Sequence, residues 1–381
     1  MKTHYIVFFL VFVIVSCQSS SHDPLTDINL SVAKRVNVPT MKNWKGCNYS
    51  DFATEVNYIP LEITPYSLLG DINELEIAVN GDLIVLDTKN KQIFRFDSQG
   101  KFLNSIGEIG HGHNELIDPV HIAYDSYHNQ ILVWDNAQDA IYYFDLNGKV
   151  TKNIKTGIPY GLVGVIDSTT YCVYSNLVID NSHYNYTIFD SNANQKFAFE
   201  SFNLDLNYLP DATHIFQTYK GNLYSKSLYS NIVYKLNANS VEPVFIIDYE
   251  DKDNWNTGTA NQVTINRQNK NDIFYCKRAI IADNFLFSQI GNHEKSGFAI
   301  LNLNNDSLYC SQNIKNNLEE YGNSLYYPLS MHNNILYAKA TNFDFLVEWM
   351  VKRNQTNHPK YEFNKKFSQY GNPIIQAIKL K

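Results

Sequence analysis

Residues 83–103, LIVLDTKNKQIFRFDSQGKFL, return 48 positions later as ILVWDNAQDAIYYFDLNGKVT at 131–151, and this echo leaves few folds open to the chain. In that register Val85 meets Val133, Asp87 meets Asp135, Ile93 meets Ile141, Phe96-Asp97 meets Phe144-Asp145, and Gly100-Lys101 meets Gly148-Lys149. Self-similarity at a period of about 40–50 residues marks a unit that buries its faces against copies of itself, above all a propeller blade.

The turn signal of the echo runs down the chain. Asn80-Gly81-Asp82 separates the strand patterns Glu76–Val79 and Leu83–Leu86, and Asp125–Gln130 separates His121–Tyr124 from Ile131–Trp134. Such polar pairs favour the positive φ angles of tight hairpins. Counterparts centre on 169, 221, 283 and 333, so the intervals from 81 and 128 onward are 47, 41, 52, 62 and 50 residues. Six blades of four antiparallel strands follow. Leu83–Leu86 and Ile131–Trp134 are apolar at every position, as for strands covered on both faces; a two-sheet sandwich would show alternation. Tyrosine (27) and phenylalanine (22) suit an all-β chain, because bulky rings pack well on pleated surfaces.

The last blade reads one strand short. Phe345–Val351 predicts a helix capped near Thr341, Asn342 or Asp344, and only Pro373–Ile378 returns to strand character. Val56–Leu61, ahead of the first complete blade, supplies the missing strand by pairing beside 374–380, which closes the ring and removes sheet edges.

Residues 1–16 carry Lys2, an apolar run from Tyr5 to Val15 and the small Ser16 before Cys17. The run is shorter than the roughly 20 apolar residues a membrane span needs, and it reads as a secretory signal. Ile14-Val15-Ser16-Cys17 resembles a bacterial lipobox, with Cys17 the lipidated first residue of the mature chain, residues 17–45 a tether and 46–381 the propeller. The expected place is the cell envelope, facing the periplasm or the cell exterior. Removing residues 1–16 takes Lys2 from 31 basic and 38 acidic residues, changing the formal charge from −7 to −8. A nucleic-acid binder needs a clustered basic face, which this balance opposes. The remaining cysteines, Cys47, Cys172, Cys276 and Cys310, lack zinc-site spacing and read as buried free thiols.

Leu83–Asp87, Lys91–Asp97 and Gly100–Phe102 resemble the NHL repeat. The wider layout is similar to the six-bladed β-propeller lipoproteins of Gram-negative bacteria, through Cys17, Tyr58–Glu62, Gly110–Glu115 and Asn372-Pro373. The resemblance implies the propeller fold and no particular activity. Where it implies Gly-x-Gly-Pro-Gly-Glu between blades, this chain has His113 and Asn114 in place of Pro-Gly.

The densest set of metal-ligating or acid–base residues is His111, His113, Glu115, Asp118 and His121, and a divalent metal is the one cofactor these residues suggest. The inter-blade pattern alone accounts for its glycines and glutamate. Asp87, Asp135, Asp97 and Asp145 recur at equivalent places, which favours turn capping over paired-carboxylate catalysis. Channel loops supply one group per blade, so His214, His293 and His332 are further candidates for convergence, and Trp44, Trp255 and Trp349 for sugar stacking. Core packing and lone surface histidines are the ordinary readings. The function that follows is non-covalent: a rigid scaffold binding an envelope protein or a small-molecule or glycan ligand. The competing class is a lyase or hydrolase with a metal or acid–base site at the central channel.

Overall fold

Leu83–Asp87 and Gln130–Asp135, which read as fully covered strands, are the second strands of two successive blades and are buried along nearly their whole length. The structure is a computed structural model that describes residues 28–158, 160–175, 184–201, 214–227, 230–250, 275–291, 294–319, 324–325, 327–340 and 343–381. The signal segment, Cys17, Trp255 and His293 lie outside these residues.

Two strands precede the ring, β1 (Lys34–Val38) and β2 (Ala53–Pro60). From the channel outward, blade 1 is β3 (Glu74–Ile77), β4 (Leu83–Asp87), β5 (Gln92–Phe96) and β6 (Phe102–Ser105). Blade 2 is β7 (Pro119–Asp125), β8 (Gln130–Asp135), β9 (Ala140–Asp145) and β10 (Val150–Lys155). Blade 3 is β11 (Leu162–Asp167), β12 (Thr170–Tyr174), β13 (Tyr184–Asp190) and β14 (Gln195–Ser201). Blade 4 is β15 (Phe216–Tyr219), β16 (Asn222–Ser225), β17 (Ile232–Asn237) and β18 (Ser240–Tyr249). Blade 5 is β19 (Tyr275–Ile281), β20 (Phe285–Gly291), β21 (Ser296–Asn302) and β22 (Leu308–Ser311). Blade 6 is β23 (Tyr327–His332), β24 (Ile335–Lys339) and β25 (Ile374–Leu380), with β2 as its outer strand. The first strands touch in a closed circuit, β3 to β7 and onward to β23 and back.

Closure takes the predicted form: Val56 faces Ile378 and Ile59 faces Ile375 in an antiparallel ladder. The first strand was not legible in the sequence. Residues 34–38, assigned above to the tether, instead pair in parallel with β18 and give blade 4 a fifth strand. Lys34–Val38 thus belongs to the folded body.

The repeated aspartates act as backbone acceptors, as expected. Asp87 takes N–H groups of Gly70 (2.6 Å) and Asn90 (3.1 Å), and Asp135 takes those of Ile117 (2.6 Å) and Gln138 (3.1 Å). Each carboxylate, fully buried, ties the linker entering its blade to the turn leaving its second strand. Asp97 and Asp145 each accept two N–H groups of their own turns at 2.9 Å, and Asp190 repeats the device in blade 3. The glycines that follow have φ of 84° and lie against the preceding blade, where a side chain at Gly100 or Gly148 would overlap the carbonyl of Pro60 or Ser105. One motif therefore shapes its turn and docks the blade on its neighbour.

Cys47, Cys172, Cys276 and Cys310 are buried and free. Besides the short α1 (Tyr49–Phe52), an insertion between β24 and β25 forms α2 (Phe343–Lys352), as predicted, and α3 (Pro359–Ser368), which was not. Phe343, Phe363 and Phe367 pack on Tyr58 of β2 with ring centroids 5.0–6.0 Å apart, seating the helices on the closing strand.

Candidate functional site

An inner strand of a propeller leaves one backbone edge facing the channel, and buried N–H and C=O groups on that edge must find partners. Here side chains from neighbouring blades supply them. Glu74 on β3 accepts the Ile122 N–H of β7 (2.8 Å) and binds His121 Nδ1 (2.8 Å), while His121 Nε2 reaches the Val163 carbonyl of β11 (2.9 Å). Gln217 on β15 accepts the Ile281 N–H and donates to the Ile281 carbonyl of β19, both at 2.7 Å. Arg278 on β19 donates to the Pro328 and Leu329 carbonyls of β23. These clasps fasten blades 1 to 3, 4 to 5, and 5 to 6 at the channel.

They also form the floor of a cavity of about 430 Å³. Its lining runs from the early residues of the inner strands, such as Glu74, His121 and Arg278, to the turns that follow them, at Val79, Ser126, Lys220, Asp283 and Asn333. Val79, 68% exposed, marks the mouth on that turn face. Phe216, Ile77, Leu329 and Met331 contribute apolar wall. At the rim Lys220 and Tyr219 both bind Asp283, and these bonds hold its carboxyl below the usual carboxylate range.

The floor groups titrate away from their ordinary values. Burial opposes charge on His121, but the adjoining Glu74 carboxylate and the Val163 carbonyl outweigh it and raise the imidazole above 6.5. Both ring nitrogens face acceptors, so the doubly protonated ring satisfies both. Glu76 is pushed up to about 8 by burial and then by Glu74, although it takes an N–H bond from Tyr124. Its residual exposure is to the channel, enclosed by protein. Burial, Arg278 and His121 hold His214 well below 6.5, as neutral imidazole. Burial draws Arg278 down to about 10, which leaves it charged at neutral pH.

A pH effect follows from Glu76. The unfolded carboxyl releases its proton near 4.5 and the folded one near 8, so the folded state binds the extra proton between them. Stability therefore falls as pH rises through that window. Glu76→Gln keeps an acceptor for the Tyr124 N–H and removes the titration. We expect its stability relative to wild type to improve by about 4 kcal/mol between about pH 5 and pH 9, read by urea unfolding. An offset identical at both pH values would contradict this.

The structure divides the loop set predicted from sequence. His111 and His113 are exposed, and Glu115 folds back on its own loop, accepting the Gly112 N–H at 2.7 Å. A Cβ at Gly110 or Gly112 would collide with that carboxylate, which explains the glycines. Asp118 pairs with Lys91 at 2.8 Å. His121 lies in the channel, and with both nitrogens facing acceptors it has no lone pair for a metal. Among the described residues no three His, Cys, Asp or Glu side chains are arranged to hold a metal ion. His214 lies with the floor groups, its Nδ1 3.4 Å from the Tyr327 hydroxyl, whereas His332 closes β23 at the mouth beside Asn333, so both line the cavity without converging. Trp44 donates to the Pro39 carbonyl at 2.8 Å, Trp349 of α2 lies under Arg353 just past that helix, and neither tryptophan lines the cavity. Sequence reasoning missed Glu74, Glu76, Gln217 and Arg278. Their one signal was a charged or amide side chain on the first strand of a blade.

A family described as a domain of unknown function, DUF4934, matches residues 31–379. No curated protein matches the chain. Among solved structures, a protein described as exported, from Bacteroides fragilis, is similar at a TM-score of 0.74 and 15% identity, covering 91% of this chain and all of that one. A DUF4221 member from Bacteroides vulgatus gives 0.49 and 10%, with 86% and 97% covered. At such identities the likeness is one of fold.

Proposed function

This chain belongs to the DUF4934 family, and we propose that its propeller is an extracytoplasmic receptor that binds a small molecule in the channel, tethered through a lipidated Cys17. The observation that carries the reading is the cavity of about 430 Å³, a size suited to small organic ligands, with apolar walls and a few convergent polar groups. The clasps that build its floor tie all six inner strands, in two groups of three, and so preorganise the site. The lipobox-like Ile14–Cys17 and the exported protein of similar fold support a place at the envelope. Among the described residues no helix is long and apolar enough to cross a membrane.

Protein purified from its own envelope and denatured should release a small molecule at about one per chain by mass spectrometry. Ser330→Trp, which fills the cavity from β23, should release none. Release from neither protein, or equal release from both, would remove the receptor reading.

A further inference from the structure

We propose that the channel takes a small zwitterion, an amino acid or short peptide, whose carboxylate seats on Arg278 and whose ammonium seats beside Glu76; the assignment rests on the receptor reading above. Most charges around the cavity already face one another, Glu74 with His121 on the floor and Lys220 with Asp283 at the rim. Arg278 and Glu76 do not. Both line the cavity, yet among the described residues neither has an opposite charge within 4.0 Å. Buried charges are ordinarily paired, so a cavity that leaves one group of each sign unpaired is complementary to a ligand that carries both.

The two groups stand on separate sides of the channel. The Arg278 guanidinium, on β19 and only 9% exposed, is fixed on the channel edge of β23 by the Pro328 and Leu329 carbonyls. These bonds use two of its five N–H groups and leave three without a protein acceptor among the described residues, enough for the two-pronged contact a carboxylate makes. Glu76 lies on β3 two residues along from Glu74, so both carboxyls reach toward β7, two blades round the ring from the Arg278 bonds. Phe216, partly buried, offers apolar wall for the ligand's carbon chain. The groups acting on Glu76 are Glu74, His121, Arg278 and the Tyr124 N–H, and burial among them pushes its carboxyl up to about 8. His214, neutral and with Nδ1 3.4 Å from the Tyr327 hydroxyl, brings no charge. A ligand ammonium seated beside Glu76 supplies the cation it lacks, so binding near neutral pH ionises the carboxyl and passes its proton to the buffer.

The test is calorimetry on the full chain at about pH 7 with glycine, 4-aminobutanoate, 6-aminohexanoate and dialanine, against butylamine as cation and butanoate as anion, each to about 20 mM. At least one zwitterion should saturate, at least about tenfold more tightly than either single-charge probe. Its heat should vary with the buffer's ionisation enthalpy as for release of about one proton. Glu76→Gln should abolish that release and weaken the zwitterion by more than about tenfold while leaving butanoate unchanged. Arg278→Gln, which keeps a donor for the β23 carbonyls, should bring the zwitterion down to the level of butylamine; where that variant does not fold, Glu76→Gln carries the test. Saturation by none of the four, a single-charge probe binding as tightly as the best of them, a heat indifferent to the buffer, or binding unaltered in Glu76→Gln would each overturn the assignment. If it falls while Ser330→Trp still abolishes release of the co-purified molecule, the receptor reading stands without the zwitterion; release from neither protein removes both.

Discussion

Deleting residues 374–381 is expected to abolish cooperative unfolding. β25 is the third strand of blade 6 and pairs on one side with β24 and on the other with β2, so its loss leaves the closing strand without a partner. Ile374, Ile375, Ile378 and Leu380 are each at most 5% exposed, and burying such side chains stabilises by about 1.5–3 kcal/mol apiece. Gln376 is fully buried and accepts the Tyr49 hydroxyl at 3.1 Å, while the Lys381 N–H binds the Phe52 carbonyl at 3.0 Å. The summed loss reaches the whole stability of an ordinary domain, about 5–15 kcal/mol. Calorimetry should show no sharp endotherm, with ANS binding at room temperature. The milder Ile378→Ala should keep a two-state transition and lose about 2–5 kcal/mol. A truncated protein melting sharply within a few degrees of wild type would refute closure as the keystone of the fold.

The ring was legible because a blade repeats what its turns require. Asp97, Asp145 and Asp190 accept turn N–H groups in the same way, and Gly100 and Gly148 stand where a side chain would strike the previous blade. The residue type follows from backbone geometry, so the letters recur. β1 had no such signature: Lys34–Val38 carries two charges and no turn, and its partner strand lies about two hundred residues away. α3 is a polar helix whose start depends on His358, which accepts the Lys360 N–H at 3.1 Å, a cap outside the usual set. The channel was opaque for a different reason. Each inner strand offers the same backbone need, yet it is met by a carboxylate in blade 1, an imidazole in blade 2, an amide in blade 4 and a guanidinium in blade 5. One requirement with four chemical solutions leaves no repeated letter, although at the offset of 48 Glu74 aligns with the Ile122 it caps. The histidine-rich loop showed the converse, since dense potential ligands arose from a glycine loop shaped around Glu115.

Glu74→Ala is the side-chain change expected to cost most. Glu74 is 5% exposed and answers two donors at 2.8 Å, the Ile122 N–H and His121 Nδ1. Removing it strands an N–H and a charged ring within the channel wall, with Arg278 the nearby cation acting on His214 and Glu76 the remaining carboxyl. Breaking a buried pair this way costs about 3–5 kcal/mol. The sign of its pH dependence is set by His121, whose folded value is raised above 6.5. Its contribution is fully present below that value and disappears as pH climbs through the folded one. The deficit of Glu74→Ala should therefore be largest at about pH 6 and shrink toward about pH 9, where the residual measures the uncapped Ile122 N–H. Glu74→Gln, which retains an acceptor without the charge, should lose less than Glu74→Ala at both. Urea unfolding at the two pH values gives the comparison, and ¹⁵N spectra of the wild-type ring should show both His121 nitrogens protonated at about pH 6. An equal deficit at both values, or a singly protonated ring, would reduce the clasp to a neutral backbone cap. Because the same carboxylate forms the floor beside Glu76, a real ion pair there also sets the charge balance that the bound ligand meets.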